Sequence, residues 1–199
     1  MDLDGTLIQT SKSSSNIKLK IQKYVMAPDK VRWLDNFIKM SLTGKLFKDK
    51  ELINEAGGFI ERAWMQEFPL AMDTNCPGRF LDHYAASEHE AVRLLFARFF
   101  RTDGNNKIVH GDMVAPDRRK PAPDLVLEAC DSIKVKPKDA VGFEDSLEGI
   151  DALVSAGVAN VVAVNSQDLT PYEQVEIDKL CRFSNILKIK SFDEVQFQN

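Results

Sequence analysis

From residue 69 onward, short apolar runs alternate with amphipathic stretches, and this alternation constrains the fold more than any other feature of the chain. Strand-like runs are read at Pro69–Asp73, Lys107–His110, Ala140–Phe143, Val161–Val164 and Ile186–Ile189. Between them the spacing predicts helices over about Pro77–Leu95, Asp124–Asp131 and Leu147–Ala156, with a helical turn after the last strand. Strands that alternate with helices predict an α/β fold, a Rossmann-like parallel sheet with helices on both faces. In such sheets ligands gather beyond the carboxyl ends of the strands. The residues at those ends therefore become the candidates for chemistry.

Before residue 69 the texture differs. Ser11–Asn16 is a polar, serine-rich linker. Residues 17–43 read as helical with a break at Pro28–Asp29, and Trp33, Phe37 and Met40 lie on one stripe. A second helix is expected over about Lys50–Glu67, with Leu52, Ile53, Ala56, Ile60, Ala63 and Trp64 as its apolar set, interrupted at Gly57–Gly58. The division that follows is an α/β core of residues 1–12 and 47–199, with a small helical insert at 13–46.

Composition narrows the function classes. The chain has 199 residues, 44% hydrophobic and 28% charged, with a formal net charge of -4. A general nucleic-acid or acidic-membrane binder is expected to be basic, so neither partner is expected. Cys76, Cys130 and Cys181 form no CxxC pair and read as reduced thiols. His83, His89 and His110 have no metal-ligand spacing and read as ordinary helix and strand residues. No apolar run approaches the roughly 20 residues of a membrane span. The N-terminal MDLDGTLIQT lacks the basic and apolar regions of a signal peptide, so the cytoplasm is the expected location.

Four segments carry chemistry. Asp2-Leu3-Asp4-Gly5-Thr6 sets two carboxylates two residues apart beside a turn-forming glycine. One can attack phosphorus as a nucleophile, and the other can serve as acid and then as base. Leu70–Thr74 ends in a hydroxyl, followed by the Asn75 amide, and both side chains can donate to phosphate oxygens. Lys120-Pro121-Ala122-Pro123-Asp124 offers a cation on a rigid entry to a helix, suited to a phosphoryl group. Arg118 and Arg119 beside it read as a solvated basic loop. Gly142-Phe143-Glu144-Asp145-Ser146 places two acids at a strand end, where a hard cation such as Mg²⁺ would compensate them. Read alone, each segment also has a plain structural explanation: an acidic turn, a Thr-Asn turn, a basic loop and a helix N-cap.

Taken in order, DxDGT, an apolar run ending in Thr, KP, and an acidic pair before a helix resemble the haloacid-dehalogenase-like hydrolase superfamily. FPLAMDTNCP, KPAPDLVLEA and GFEDSLEGIDALVSAGV look most like its branch of sugar phosphatases, β-phosphoglucomutases and pseudouridine-5′-phosphatases. The resemblance implies Asp2 as nucleophile, Asp4 as acid/base, and Lys120 as stabiliser of a phosphoaspartate. It implies Thr74 and Asn75, with Lys120, as phosphate ligands, and Mg²⁺ held by Asp2, Asp4, Glu144 and Asp145. The expected activity is hydrolysis of a small phosphomonoester of the sugar or nucleoside phosphate class. The alternatives are a phosphoglucomutase-like isomerase and a non-catalytic binding module with the same fold.

Two departures from that family stand in the sequence. The family sets an apolar strand directly before its first aspartate, whereas here only Met1 precedes Asp2. The first core strand is therefore expected to be missing, with the start truncated. The insert at 13–46 is also short for a four-helix cap and is expected to hold two helices.

Overall fold

The structure is a computed structural model, and it describes residues 55–99, 106–164, 171–183 and 186–197. The expected loss of a first strand, the reduced cap at 13–46, and Asp2 and Asp4 all fall outside these residues. Along the described chain the elements run α1 (Ala56–Met65), β1 (Leu70–Thr74), α2 (Gly78–Ala85), α3 (Glu90–Phe99) and β2 (Asn106–His110). They continue with α4 (Asp124–Ser132), β3 (Val141–Glu144), α5 (Leu147–Ser155), β4 (Asn160–Val164), α6 (Pro171–Phe183) and β5 (Ile186–Ile189). No helix among the described residues is long and apolar enough to cross a membrane.

The architecture is the expected one: parallel strands with helices between them. β1 pairs with β2 from Leu70↔Asn106 to Thr74↔His110. β3, β4 and β5 form a second parallel group in that order. β4 is apolar on both faces, as a parallel strand covered by helices is expected to be. Along β4 the two faces serve different cores: Val162 and Val164 pack with Phe59, Phe143 and Phe192, and Val161 and Ala163 with Ile150, Leu153 and Ile177. An alternating side-chain direction explains this division.

α1 shows how the first core is sealed. Ala56, Phe59, Ile60 and Ala63 are buried at helical spacing, and the helix runs through Gly57–Gly58 within its first turn. Both glycines lie in the first turn and not in the helix interior, where each would cost about 1 kcal/mol relative to alanine. Trp64, expected on the apolar face, is instead half exposed. Phe59 takes the central place, with ring centroids 4.9 Å from Phe143, 5.0 Å from Phe192 and 5.5 Å from Phe197.

Two helical expectations need correction. The single helix expected over Pro77–Leu95 is two helices, α2 and α3. Ser87 breaks it: its hydroxyl accepts from the His89 amide at 3.2 Å, a local bond that competes with helix continuation. α6 is absent from the sequence reading altogether. Among its described side chains only Ile177 is fully buried, so its apolar pattern is too sparse to register as a stripe.

A cavity of about 420 Å³ lies between β1 and β3. Leu70 and Ala71 line it from one side, and Val141, Gly142 and Phe143 from the other. Consecutive residues of both strands take part, which is what strand edges present, since a face would offer alternate residues. Phe59 closes part of it.

Phe59 joins helix, strand and C-terminal segment, so Phe59→Ala should cost about 3–5 kcal/mol of stability. Urea unfolding should show a lower midpoint, and an unchanged midpoint would disprove this packing account.

Candidate active site

The site is built where β1 and β3 end. β1 carries Asp73 and Thr74 into the loop that leads to α2, and β3 carries Glu144 into the loop that opens α5. Lys120 arrives between them from the loop that precedes α4. All four are nearly inaccessible: Asp73 is 3% exposed, Thr74 1%, Lys120 8% and Glu144 1%.

The Lys120 ammonium is held from both sides. Its Nζ lies 2.7 Å from Asp73 Oδ2 and 2.7 Å from Glu144 Oε1, with the Asp73 carbonyl oxygen at 3.4 Å. Its backbone is held as well. The Lys120 amide donates to Asn75 Oδ1 at 2.9 Å, and the Asn75 amide group donates to the Lys120 carbonyl at 3.2 Å. The Lys120–Pro121 peptide is cis. Asn75, expected to face phosphate, thus directs its side chain to the lysine's backbone.

Glu144 is engaged at both oxygens. Oε1 accepts from Lys120, and Oε2 accepts from the Asp145 amide at 2.8 Å, the Ser146 amide at 3.0 Å and the Ser146 hydroxyl at 3.0 Å. Ser146 in turn caps α5, its Oγ accepting from the Gly149 amide at 3.1 Å. Asp145 is half-buried, one position past the end of β3. Thr74 Oγ1 accepts from the Cys76 amide at 3.0 Å, which fixes the hydroxyl at the head of its loop.

The neighbouring arginines have structural work. Arg118 pairs with Asp124 in the first turn of α4. Arg119 Nε donates to the Gly111 carbonyl at 2.7 Å. Asp112 Oδ2 accepts from the Gly78 amide at 2.9 Å and so ties the end of β2 to the start of α2. The loop read as solvated and basic is therefore tied down at several points.

The arrangement brings together Thr74, Asn75, Lys120, Glu144 and Asp145 from three separated segments. It also adds Asp73, which the sequence reading did not single out. Burial raises the Asp73 carboxyl, and the Lys120 charge is the largest of the influences that carry it below the ordinary carboxylate range. The available signal was an acid inside the apolar run LAMDT, costly to bury unless a cation meets it. Among the described residues no group of three His, Cys, Asp or Glu converges as a metal cluster. Asp145 is an oxygen donor of the kind Mg²⁺ takes, and Glu144 stands behind it; further donors would have to come from elsewhere in the chain.

No family model matches the chain. A phosphoglycolate phosphatase of Nitrosospira multiformis is 28% identical over 186 residues, an alignment that covers 79% of this chain and 78% of that protein. A HAD hydrolase of family IA, variant 3, from Entamoeba histolytica superposes with a TM-score of 0.67 at 20% identity, covering 98% of this chain and 93% of the other. The fold is that of the haloacid-dehalogenase-like hydrolases. CbbY from Rhodobacter sphaeroides, as a mutant in complex with xylulose-(1,5)bisphosphate, superposes with a TM-score of 0.64 at 21% identity, covering 97% and 93%. The chain therefore resembles haloacid-dehalogenase-like hydrolases in sequence motifs and shares their architecture.

Two outcomes follow from this geometry. A Cβ at Gly149 would run into the Glu144 carboxylate, which its other contacts hold in place. Gly149→Ala, worth about 1 kcal/mol of helix propensity elsewhere, should therefore lower the melting temperature, and a rise would overturn the packing argument. The depressed Asp73 carboxyl contributes stability that is complete above its unfolded value of about 3.9. That contribution is lost as pH falls from there toward the lower folded value. Between pH 5 and 3 the unfolding free energy of Asp73→Asn should thus fall less steeply than that of the parent chain, by at most one proton's worth, in denaturant titrations at stepped pH.

Proposed function

We propose that this chain is a Mg²⁺-dependent phosphatase that hydrolyses a small phosphomonoester through an aspartyl-phosphate. The observation that supports it most is the buried Lys120 ammonium, fixed where β1 and β3 end beside a hydroxyl and an acidic pair. A fixed cation in a water-poor site favours charge that develops on a transferring phosphoryl group. The phosphoglycolate phosphatase relative and the sugar-bisphosphate complex of a structural neighbour point to the same substrate class, small phosphorylated metabolites.

In this reading the Asp2 carboxylate attacks phosphorus while the bond to the leaving oxygen breaks, and Asp4 gives that oxygen a proton. Asp4 then takes a proton from water as the water attacks the phosphoaspartate and frees Asp2. Thr74 and the loop after β1 bind phosphoryl oxygens, and Lys120 neutralises their charge. Asn75 serves by holding the backbone of Lys120. Asp2, Asp4 and Asp145 would hold Mg²⁺, with Glu144 beside them, and the ion would supply charge neutralisation at the phosphoryl oxygens.

The test is phosphate release from a panel of phosphoglycolate, sugar mono- and bisphosphates and nucleoside monophosphates, with MgCl2 and with EDTA. Release should require Mg²⁺, should be lost in Asp2→Asn, and should fall by about 10²–10³ in Lys120→Met. Full activity of Asp2→Asn would refute the nucleophile. Conversion of a sugar phosphate to its isomer without release would replace hydrolase by isomerase. Failure of every substrate to react would leave the binding-module reading in its place.

A further inference from the structure

Asp73 has no part in the reaction just described, yet it is buried against the residue on which that reaction depends. Among the described residues the Lys120 ammonium donates to the Asp73 carbonyl and the Glu144 carboxylate, and it lies in close ion-pair contact with the Asp73 carboxylate. Two carboxylates thus face one cation. Glu144 also organises the loop into α5, and its removal would disturb much besides the lysine. Stability alone does not explain Asp73, because a buried ion pair often contributes no more than an apolar replacement of similar volume.

The position of the charge suggests its effect. A phosphate dianion close enough to contact Nζ also approaches a carboxylate that is 2.7 Å from the same nitrogen. Repulsion at such distances is substantial in a site of low dielectric. The same carboxylate limits the directions in which the ammonium can turn, so that its orientation is set before substrate arrives.

We propose that Asp73 is a positioning residue that restrains Lys120 from the β1 side and weakens its grip on phosphate, trading affinity for turnover. The inference rests on the reading of Lys120 as the phosphate-facing cation. It predicts that loss of the Asp73 charge tightens ground-state binding while it slows the chemical step, a combination that general loosening of the fold does not produce.

The test compares the parent chain with Asp73→Asn, Asp73→Glu and Lys120→Met. With MgCl2 present, inorganic phosphate binding is measured by calorimetry, and kcat and KM are measured on a substrate that the parent hydrolyses. Asp73→Asn should bind phosphate about tenfold tighter, with KM lowered and kcat reduced about tenfold or more. Asp73→Glu keeps the charge on a longer arm, so phosphate affinity should stay near the parent value while kcat falls. If Asp73→Asn does not fold, this second pattern in Asp73→Glu decides the matter. A lower melting temperature with kcat, KM and phosphate affinity all unchanged would overturn the proposal, as would weaker phosphate binding in Asp73→Asn. Lys120→Met serves as the control. If it binds phosphate as the parent does, or if the parent neither binds nor hydrolyses a phosphate, the reading of Lys120 itself fails and the proposal falls with it.

Discussion

The buried contact of one ammonium with two carboxylates holds the ends of β1 and β3 together. Asp73 belongs to one pair of strands and Glu144 to the other group, and Lys120 comes from a loop between them. No hydrogen-bonded ladder joins β1 to β3 among the described residues, so the lysine is a direct polar link across that gap. Removal of the cation would leave two acids in a nearly dry interior, a loss on the order of 3–5 kcal/mol. The same residue thus links the two groups of strands and is the cation of the proposed site.

Around this link, smaller contacts limit motion. Asn75 fixes the backbone from which Lys120 projects. Ser146 bonds both to Glu144 and to the first turn of α5, so the acid loop and the helix are aligned together. Gly149 has no side chain because the carboxylate occupies the space where one would lie. This is support by neighbours whose own conformations are restricted, the condition under which a polar site keeps its geometry.

Much of this was legible in the sequence, though unevenly. The strands β1 to β5 could be read because each is built around a short apolar run. Glu144 and Asp145 stand out as charges at the edge of one such run, and Lys120 stands out as a cation before a helix. α6 could not be read, since its pattern offers few apolar residues. The break at Ser87 is a choice between two hydrogen bonds of similar strength, which periodicity does not report. Asp73 escaped notice because strand pattern marks it only as the polar end of LAMDT. Its importance comes from a lysine 47 positions away in sequence. Contacts of that kind depend on the fold, and no local window contains them.

The two-faced burial of β4 has a further consequence. Val161, Val162, Ala163 and Val164 are all apolar, so a shift of one residue along the ladder would exchange one set of buried methyl groups for another. Hydrophobicity alone therefore distinguishes the correct alignment poorly. The information that specifies alignment must lie where the strands stop, in polar groups with specific partners. Asp73 and Glu144 are such groups: a slip of either strand would carry its carboxylate out of contact with Lys120. In this fold the charged residues beyond the apolar runs act as punctuation, telling otherwise repetitive strands where to end.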